Sequence, residues 1–178
     1  KKKKLMKIRE NAINKYLILL LSVSALLRGF LASIIEFGND EVYYWTYAMY
    51  PDWSHFDHPP MVGFMMQLFS CNLLFSSEFF LRLSSVIFMT INTYLVFLIG
   101  KQVKNEQTGF YAALLYTASI YAFVITGIFI LPDTPLSIFT FLAVLQFIRY
   151  FQNEKNKHLI LAGLFSGLAM LSKYSGVF

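Results

Sequence analysis

Long apolar segments, separated by short polar ones, make up most of this sequence. Apolar runs lie near residues 16–35, 77–100, 108–130, 136–151 and 159–178. A helix needs about 20 apolar residues to cross a hydrocarbon core roughly 30 Å thick, so each run predicts a membrane-spanning helix. The pattern therefore predicts an all-α fold, a polytopic transmembrane helical bundle with about five spans.

The segment 61–75 is also apolar, but it has only 15 residues and follows two prolines. If it spanned, the basic loops 101–107 and 149–158 would lie on the opposite side from the basic N-terminus, against the positive-inside rule. We therefore expect a re-entrant or interfacial helix within a first outer loop, residues 36–76. Helical spacing predicts one apolar face on it, formed by Met61, Phe64, Met65, Leu68 and Phe69.

Composition and charge agree with a membrane protein. Only 14% of the residues are charged, against about 25% in an average soluble domain. The net charge of +5 is concentrated in the first 15 residues, which hold seven of the 15 lysines and arginines. Such a run beside an apolar segment indicates a cytoplasmic anchor and not a nucleic-acid surface. A single cysteine, Cys71, excludes an internal disulfide.

Acidic and aromatic residues crowd into residues 39–60, NDEVYYWTYAMYPDWSHFDHPP. Asn39 or Asp40 is placed to cap a helix that starts there. On that helix Asp40, Tyr43, Tyr44 and Tyr47 share one face. A carboxylate beside tyrosines at a membrane surface suits a general base acting over a sugar ring. A solvated helix cap followed by an interfacial aromatic belt is the alternative.

Two further polar groups fall on the same predicted outer side. His55, Asp57 and His58 precede the two prolines and suit contacts to a phosphate or a sugar. A zinc site is the weaker interpretation, since three such residues without a second cluster are a poor metal signal, and a polar turn also fits. Asp133, in LPDTP, is either a helix cap or a partner of the Asp40–Glu41 pair in one site.

Three basic residues lie inside the predicted spans, Arg28, Arg82 and Lys173. Ionisable groups are costly in a membrane and are usually paired or functional. Because all three fall in the outer half, they suit a lipid phosphate. Snorkelling, or pairing with Glu36 and Glu78, is the alternative.

The order DEVYYW, FDHPP, LPDTP and LSKY resembles the GT-C glycosyltransferases of the protein mannosyltransferase and aminoarabinose transferase type, families 39 and 83. The resemblance implies that Asp40 is the essential acid of the first outer loop, with Glu41 completing the pair. It places the second outer acid at Asp133. It also places His58 at a basic position near the lipid phosphate and lets Lys173 reach that phosphate.

This resemblance implies an enzyme that moves a sugar from a polyprenyl-phosphate donor to an acceptor protein, lipid or glycan outside the membrane. It gives no certain cofactor and leaves a divalent cation open. The family has about a dozen spans, so residues 1–178 are expected to be the N-terminal transmembrane portion of a longer enzyme of a bacterial inner membrane, inactive alone. A transporter or flippase segment, and a non-catalytic scaffold, are the competing interpretations.

Overall fold

The computed structural model describes residues 2–177, with side chains described for residues 11–177. This part of the chain is helical, with turns and loops and no strand. Its helices are α1 (Lys2–Ile34), α2 (Asn39–Met49), α3 (Met61–Phe69), α4 (Glu78–Val103), α5 (Glu106–Ala118), α6 (Asp133–Asn153) and α7 (Asn156–Met170). The predicted all-α architecture is confirmed, and the lysine-rich start of the chain lies outside the described side chains.

Among the residues that the structure describes, three helices are long and apolar enough to cross a membrane: Asn11–Ile34 within α1, Glu78–Val103 and Asp133–Asn153. The other two predicted spans are less regular. A π-helical turn, Tyr121–Ile125, interrupts the predicted span at 108–130, and α7 ends at Met170. The total of five spans therefore stays a prediction.

The predicted span at 108–130, although interrupted by the π-helical turn, runs antiparallel to α4 along most of its length. A Cβ on Gly100 would lie 2.8 Å from the Cα of Gly109, so the two backbones touch near the end of α4. Further along, the hydroxyls of Thr93 and Thr117 are 3.1 Å apart. Beyond these, Ser85 donates a hydrogen bond to the carbonyl of Phe129. Because α4 is long enough to span, a neighbour that follows it this far crosses most of the same thickness.

Polar contacts also fix the direction of α6, which runs parallel to α4. Asn92 donates to Ser137 at 2.8 Å, and Gln152 donates to the Gln102 carbonyl at 3.2 Å. The bundle thus has two distinct ends. We call the one that carries α2 and α3 the α2 end. The basic end, opposite, carries the α4–α5 and α6–α7 connections, and the basic residues in them or in the adjoining helix ends are Lys101, Lys104, Arg149, Lys155 and Lys157.

The short helix α3 returns to the α2 end without crossing the bundle. Its nine residues measure about 14 Å, too short for a span. The helix ends at Phe69 and not at residue 75, because Cys71, Asn72 and Leu73 adopt left-handed backbone angles. Its amide at Met61 donates to the carbonyl of Leu171.

The predicted apolar face of α3 was wrong. The buried residues are Val62, Gly63, Met65 and Met66, whereas Leu68 is 71% exposed. Gly63 decides the orientation, since a Cβ there would lie 2.8 Å from the backbone of Tyr47 and only glycine allows α2 so close. Apolar residues lie all round α3, so spacing could not indicate which side packs.

Candidate functional site

The cap of helix α2 lies one residue before Asn39, the earlier of the two predicted cap residues. Gly38 occupies the cap position, and neither Asn39 nor Asp40 caps the helix. The carboxylate of Glu41 instead accepts a hydrogen bond from the Gly38 amide at 3.1 Å. Acidic residues in a first helical turn also complement the positive end of the helix dipole. Glu41 thus holds the start of α2 in place.

Glu41 is only 2% exposed and forms an ion pair with Arg82 of α4. Two guanidinium nitrogens of Arg82 donate to its carboxylate, at 2.8 and 2.6 Å. The Ile130 amide also donates to it, at 3.0 Å, and so ties α2 to the loop before α6. Every acceptor direction of this carboxylate faces the protein, which leaves it no place to receive a substrate proton.

Arg82 is fully buried and uses its remaining donors on the end of α1. It donates to the carbonyls of Ala32, Ile35 and Glu36. A guanidinium has five N–H donors, and all five are engaged here. The carboxylates of Glu36 and Glu78, which were expected to pair with Arg82, do not contact it. The predicted contact of Arg82 with a lipid phosphate therefore lacks a free donor.

Asp40, the neighbour of Glu41, has a different environment. Consecutive residues lie about 100° apart around a helix, so Asp40 points away from Arg82. Its side chain is exposed and borders a cavity of about 470 Å³ between the start of α2 and the segment before α6. The cavity is lined by Gly38, Asn39, Asp40, Glu41, Ile125, Phe129 and Leu131. Of the two adjacent acids, Asp40 is the accessible one.

The predicted tyrosine face of α2 forms a cluster. The rings of Tyr43, Tyr44 and Tyr47 lie within 5.3–5.7 Å of one another. Tyr47 and Tyr43 both donate to the carboxylate of Asp57, which brings the second half of the loop onto α2. The hydrogen bond from Tyr47, followed by that from Tyr43, lowers the pKa of Asp57 against the opposing effect of burial. Burial and the Asp57 bond raise the pKa of Tyr47.

The two histidines of the loop pack on this cluster. His55 stacks on Tyr47 at 3.7 Å between ring centres, and His58 lies 5.8 Å from Tyr44. His55 Nε2 and His58 Nδ1 have no partner among the described residues. No three His, Cys, Asp or Glu side chains in that part of the chain form a metal-binding group. The divalent cation that was left open stays a prediction, and each histidine keeps one buried ring nitrogen without a partner.

Asp133 begins α6 but does not cap it through its side chain. Its carboxylate forms an ion pair with Lys173, whose Nζ lies 3.0 and 2.9 Å from the two oxygens. Tyr121 donates to it as well, at 2.9 Å. Sequence reasoning missed Tyr121, because the π-helical turn that carries it has no regular spacing relative to Asp133.

Three acids of the candidate site affect the pKa of Tyr44. Burial raises the pKa of Tyr44 to about 12, and Asp57, Asp40 and Asp133 each add to the shift in that order. These carboxylates come from α2, the following loop and α6, so the fold places all three close enough to act on one phenol. The expectation that Asp133 and the start of α2 lie at the same end of the bundle agrees with this geometry.

Helical spans with carboxylates, tyrosines and histidines gathered at one end define an integral membrane protein with a polar site at that end. A family model described as dolichyl-phosphate-mannose-protein mannosyltransferase matches residues 57–178, and the chain belongs to this family. Neither the curated proteins nor the solved structures gave a match. Membership indicates a membrane glycosyltransferase that uses a polyprenyl-phosphate sugar donor. The match includes Asp57, His58, Asp133 and Lys173, and begins after Asp40.

Proposed function

We propose that this chain carries the site of an enzyme that transfers a sugar from a polyprenyl phosphate to an acceptor outside the membrane. The observation that carries the proposal is the exposed carboxylate of Asp40 beside the cavity of about 470 Å³, next to a Glu41 carboxylate that is buried and paired with Arg82. The acceptor is a hydroxyl-bearing protein, lipid or glycan. The basic loops lie opposite the α2 end, which by the positive-inside rule makes the α2 end the outer one.

Asp40 is the group best placed to act on the acceptor. Its carboxylate is exposed beside the 470 Å³ cavity, whereas the adjacent Glu41 is held by Arg82 and two backbone amides. In the proposed step Asp40 takes the proton of the acceptor hydroxyl. The acceptor oxygen forms a bond to the anomeric carbon as the bond from that carbon to the phosphate oxygen breaks. Polyprenyl phosphate leaves with the electron pair, so no covalent enzyme intermediate forms.

The departing phosphate needs positive charge or hydrogen-bond donors nearby. Lys173 supplies an ammonium group that is 30% exposed, although Asp133 already compensates its charge. His58, three residues before α3 starts, adds a buried ring nitrogen with no partner among the described residues. The ring of Tyr43, which is 39% exposed, offers an apolar surface for the sugar, whereas Tyr44 and Tyr47 are buried and support it from behind. Asp57 is assigned to hold this loop on α2 through its tyrosine bonds.

The test is Asp40→Asn in the full-length protein, assayed for sugar transfer from a polyprenyl-phosphate donor. Loss of a general base lowers a rate by about 10²–10⁴-fold, and a fall of that size is expected. Asp52→Asn is the matched control, because Asp52 is an exposed acid of the same loop outside the tyrosine cluster. Near-normal transfer by a well-folded Asp40→Asn protein would exclude Asp40 as the base.

A further inference from the structure

Arg28 of α1 is the most unusual charged residue in the bundle. Its side chain is fully buried, and none of its three guanidinium nitrogens has a hydrogen-bond partner among the described residues. The guanidinium lies 4.9 Å from the ring centre of Phe123 in the π-helical turn. The guanidinium also packs against the backbone of Gly127, since a Cβ added to Gly127 would lie only 2.8 Å from Nε of Arg28. An aromatic contact offsets only part of the cost of an unpaired cation inside a membrane.

A groove of about 380 Å³ lies beside this residue, between α1 and α5. It is apolar, and its walls include Leu20, Val23 and Leu27 of α1 and Leu114 of α5. Three of these four, Val23, Leu27 and Leu114, are 41–49% exposed, so the groove is open on the side that faces lipid. Phe123 is both a wall of the groove and the ring under the Arg28 guanidinium.

The groove lies deeper in the bilayer than Arg28, as measured along α1 from its end at Ile34. Leu20 and Leu27 lie roughly 21 and 10 Å before the end of α1 at Ile34, and Arg28 lies about 9 Å before it. Half of a hydrocarbon core is about 15 Å thick. The apolar groove therefore begins in the leaflet at the α2 end and extends past the midplane, and Arg28 lies closer to the α2 end than the groove does. This is the order of phosphate and acyl chain in a lipid whose phosphodiester reaches about 9 Å below the end of α1.

We propose that Arg28 and this groove bind one anionic phospholipid of the bilayer. One acyl chain lies in the groove, and the phosphodiester contacts the guanidinium, whose planar donors match two phosphate oxygens. In this structure the Phe123 ring lies between the groove and the guanidinium. A change of the Phe123 rotamer brings the phosphodiester of the bound lipid into contact with Arg28. The groove is distinct from the cavity beside Asp40, and this lipid site does not depend on the proposed transfer reaction.

The experiment is native mass spectrometry of the full-length protein in mixed micelles with phosphatidylglycerol or phosphatidylcholine. The wild type is expected to retain one phosphatidylglycerol and to prefer it to phosphatidylcholine. Arg28→Gln should weaken phosphatidylglycerol binding about tenfold and remove the preference, because a charge-assisted hydrogen bond is lost. Arg149→Gln, which removes the same charge at the basic end, should bind like the wild type.

A second variant tests the groove without touching the cation. Val23→Trp places a large ring in the groove at an exposed position, and should weaken the binding of both phospholipids while Arg28 stays in place. Equal phosphatidylglycerol binding by wild type, Arg28→Gln and Val23→Trp would overturn the proposal. Displacement of phosphatidylglycerol by an equal concentration of polyprenyl phosphate would also overturn it, since the groove would then belong to the sugar donor.

Discussion

Removal of the Glu41 carboxylate should destabilise the protein strongly without removing a group that reacts. Glu41→Ala deletes the acceptor of two Arg82 hydrogen bonds and of the Gly38 and Ile130 amides. Arg82 then stays buried with only backbone carbonyls as partners. A guanidinium cannot lose its proton at accessible pH, so it cannot escape the cost by neutralising.

The expected loss is about 3–5 kcal/mol, the usual effect of removing one partner of a buried ion pair. A double variant with Glu41→Leu and Arg82→Met removes both charges, and is expected to regain most of that loss because apolar replacement of a buried pair is often close to neutral. The control is Glu106→Ala. Its partner Lys101 is 46% exposed, and such a surface pair contributes about 0.2–1 kcal/mol.

The free energy of unfolding is measured by titration with SDS in mixed micelles, followed by far-ultraviolet circular dichroism. Sugar transfer is measured on the same preparations below the unfolding transition. If Glu41→Ala were as stable as Glu106→Ala, the ion pair would not hold α2 in place. If it kept full stability but lost transfer, Glu41 would be a reacting group and Asp40 would not be the only candidate base.

Three further predictions concern packing, pH and orientation. Gly63→Ala should cost about 1–3 kcal/mol because the new methyl group meets the backbone of Tyr47 at 2.8 Å, and a lower Tm would show it. Gly163→Ala, which has no neighbour within 4 Å, should leave the Tm unchanged or raise it. Tyr47→Phe should raise the pKa of Asp57 towards its ordinary value of 3.8. A lowered folded-state pKa gives stability that is present above the unfolded-state pKa and is lost as pH falls from there through the folded-state pKa. Tyr47→Phe lacks much of this stability from the start, so its Tm should be lower at neutral pH and should fall less over that acid range than the Tm of the wild type. Cys71, exposed at the α2 end, should react in intact cells with a maleimide that cannot cross the membrane.

Each of these has a clear contrary result. Equal Tm values for Gly63→Ala and Gly163→Ala would mean that α2 and α3 do not touch as described. An unchanged acid transition in Tyr47→Phe would mean that the Tyr47–Asp57 bond does not hold the loop. Protection of Cys71 until the cells are opened, with Cys71→Ser as the unlabelled control, would place the α2 end on the cytoplasmic side.

Much of the architecture was readable from the chain because it depends on local chemistry. Apolar runs of the length of a bilayer form helices, and polar loops end them, so the three clear spans lie close to their predicted positions. The shared face of Tyr43, Tyr44 and Tyr47 follows from the helical repeat alone. The break at Tyr121–Ile125 was not readable, since a π-helical turn has no composition of its own.

The pairing of charges depended on the tertiary structure. Asp40 and Glu41 are adjacent and chemically alike, and the sequence assigned both to the reaction. Packing separates them, because Arg82, 41 residues away from Glu41, binds one side of α2 while the cavity borders the other. The helical repeat determines that two neighbouring residues face different directions, but only distant segments decide what each direction contains.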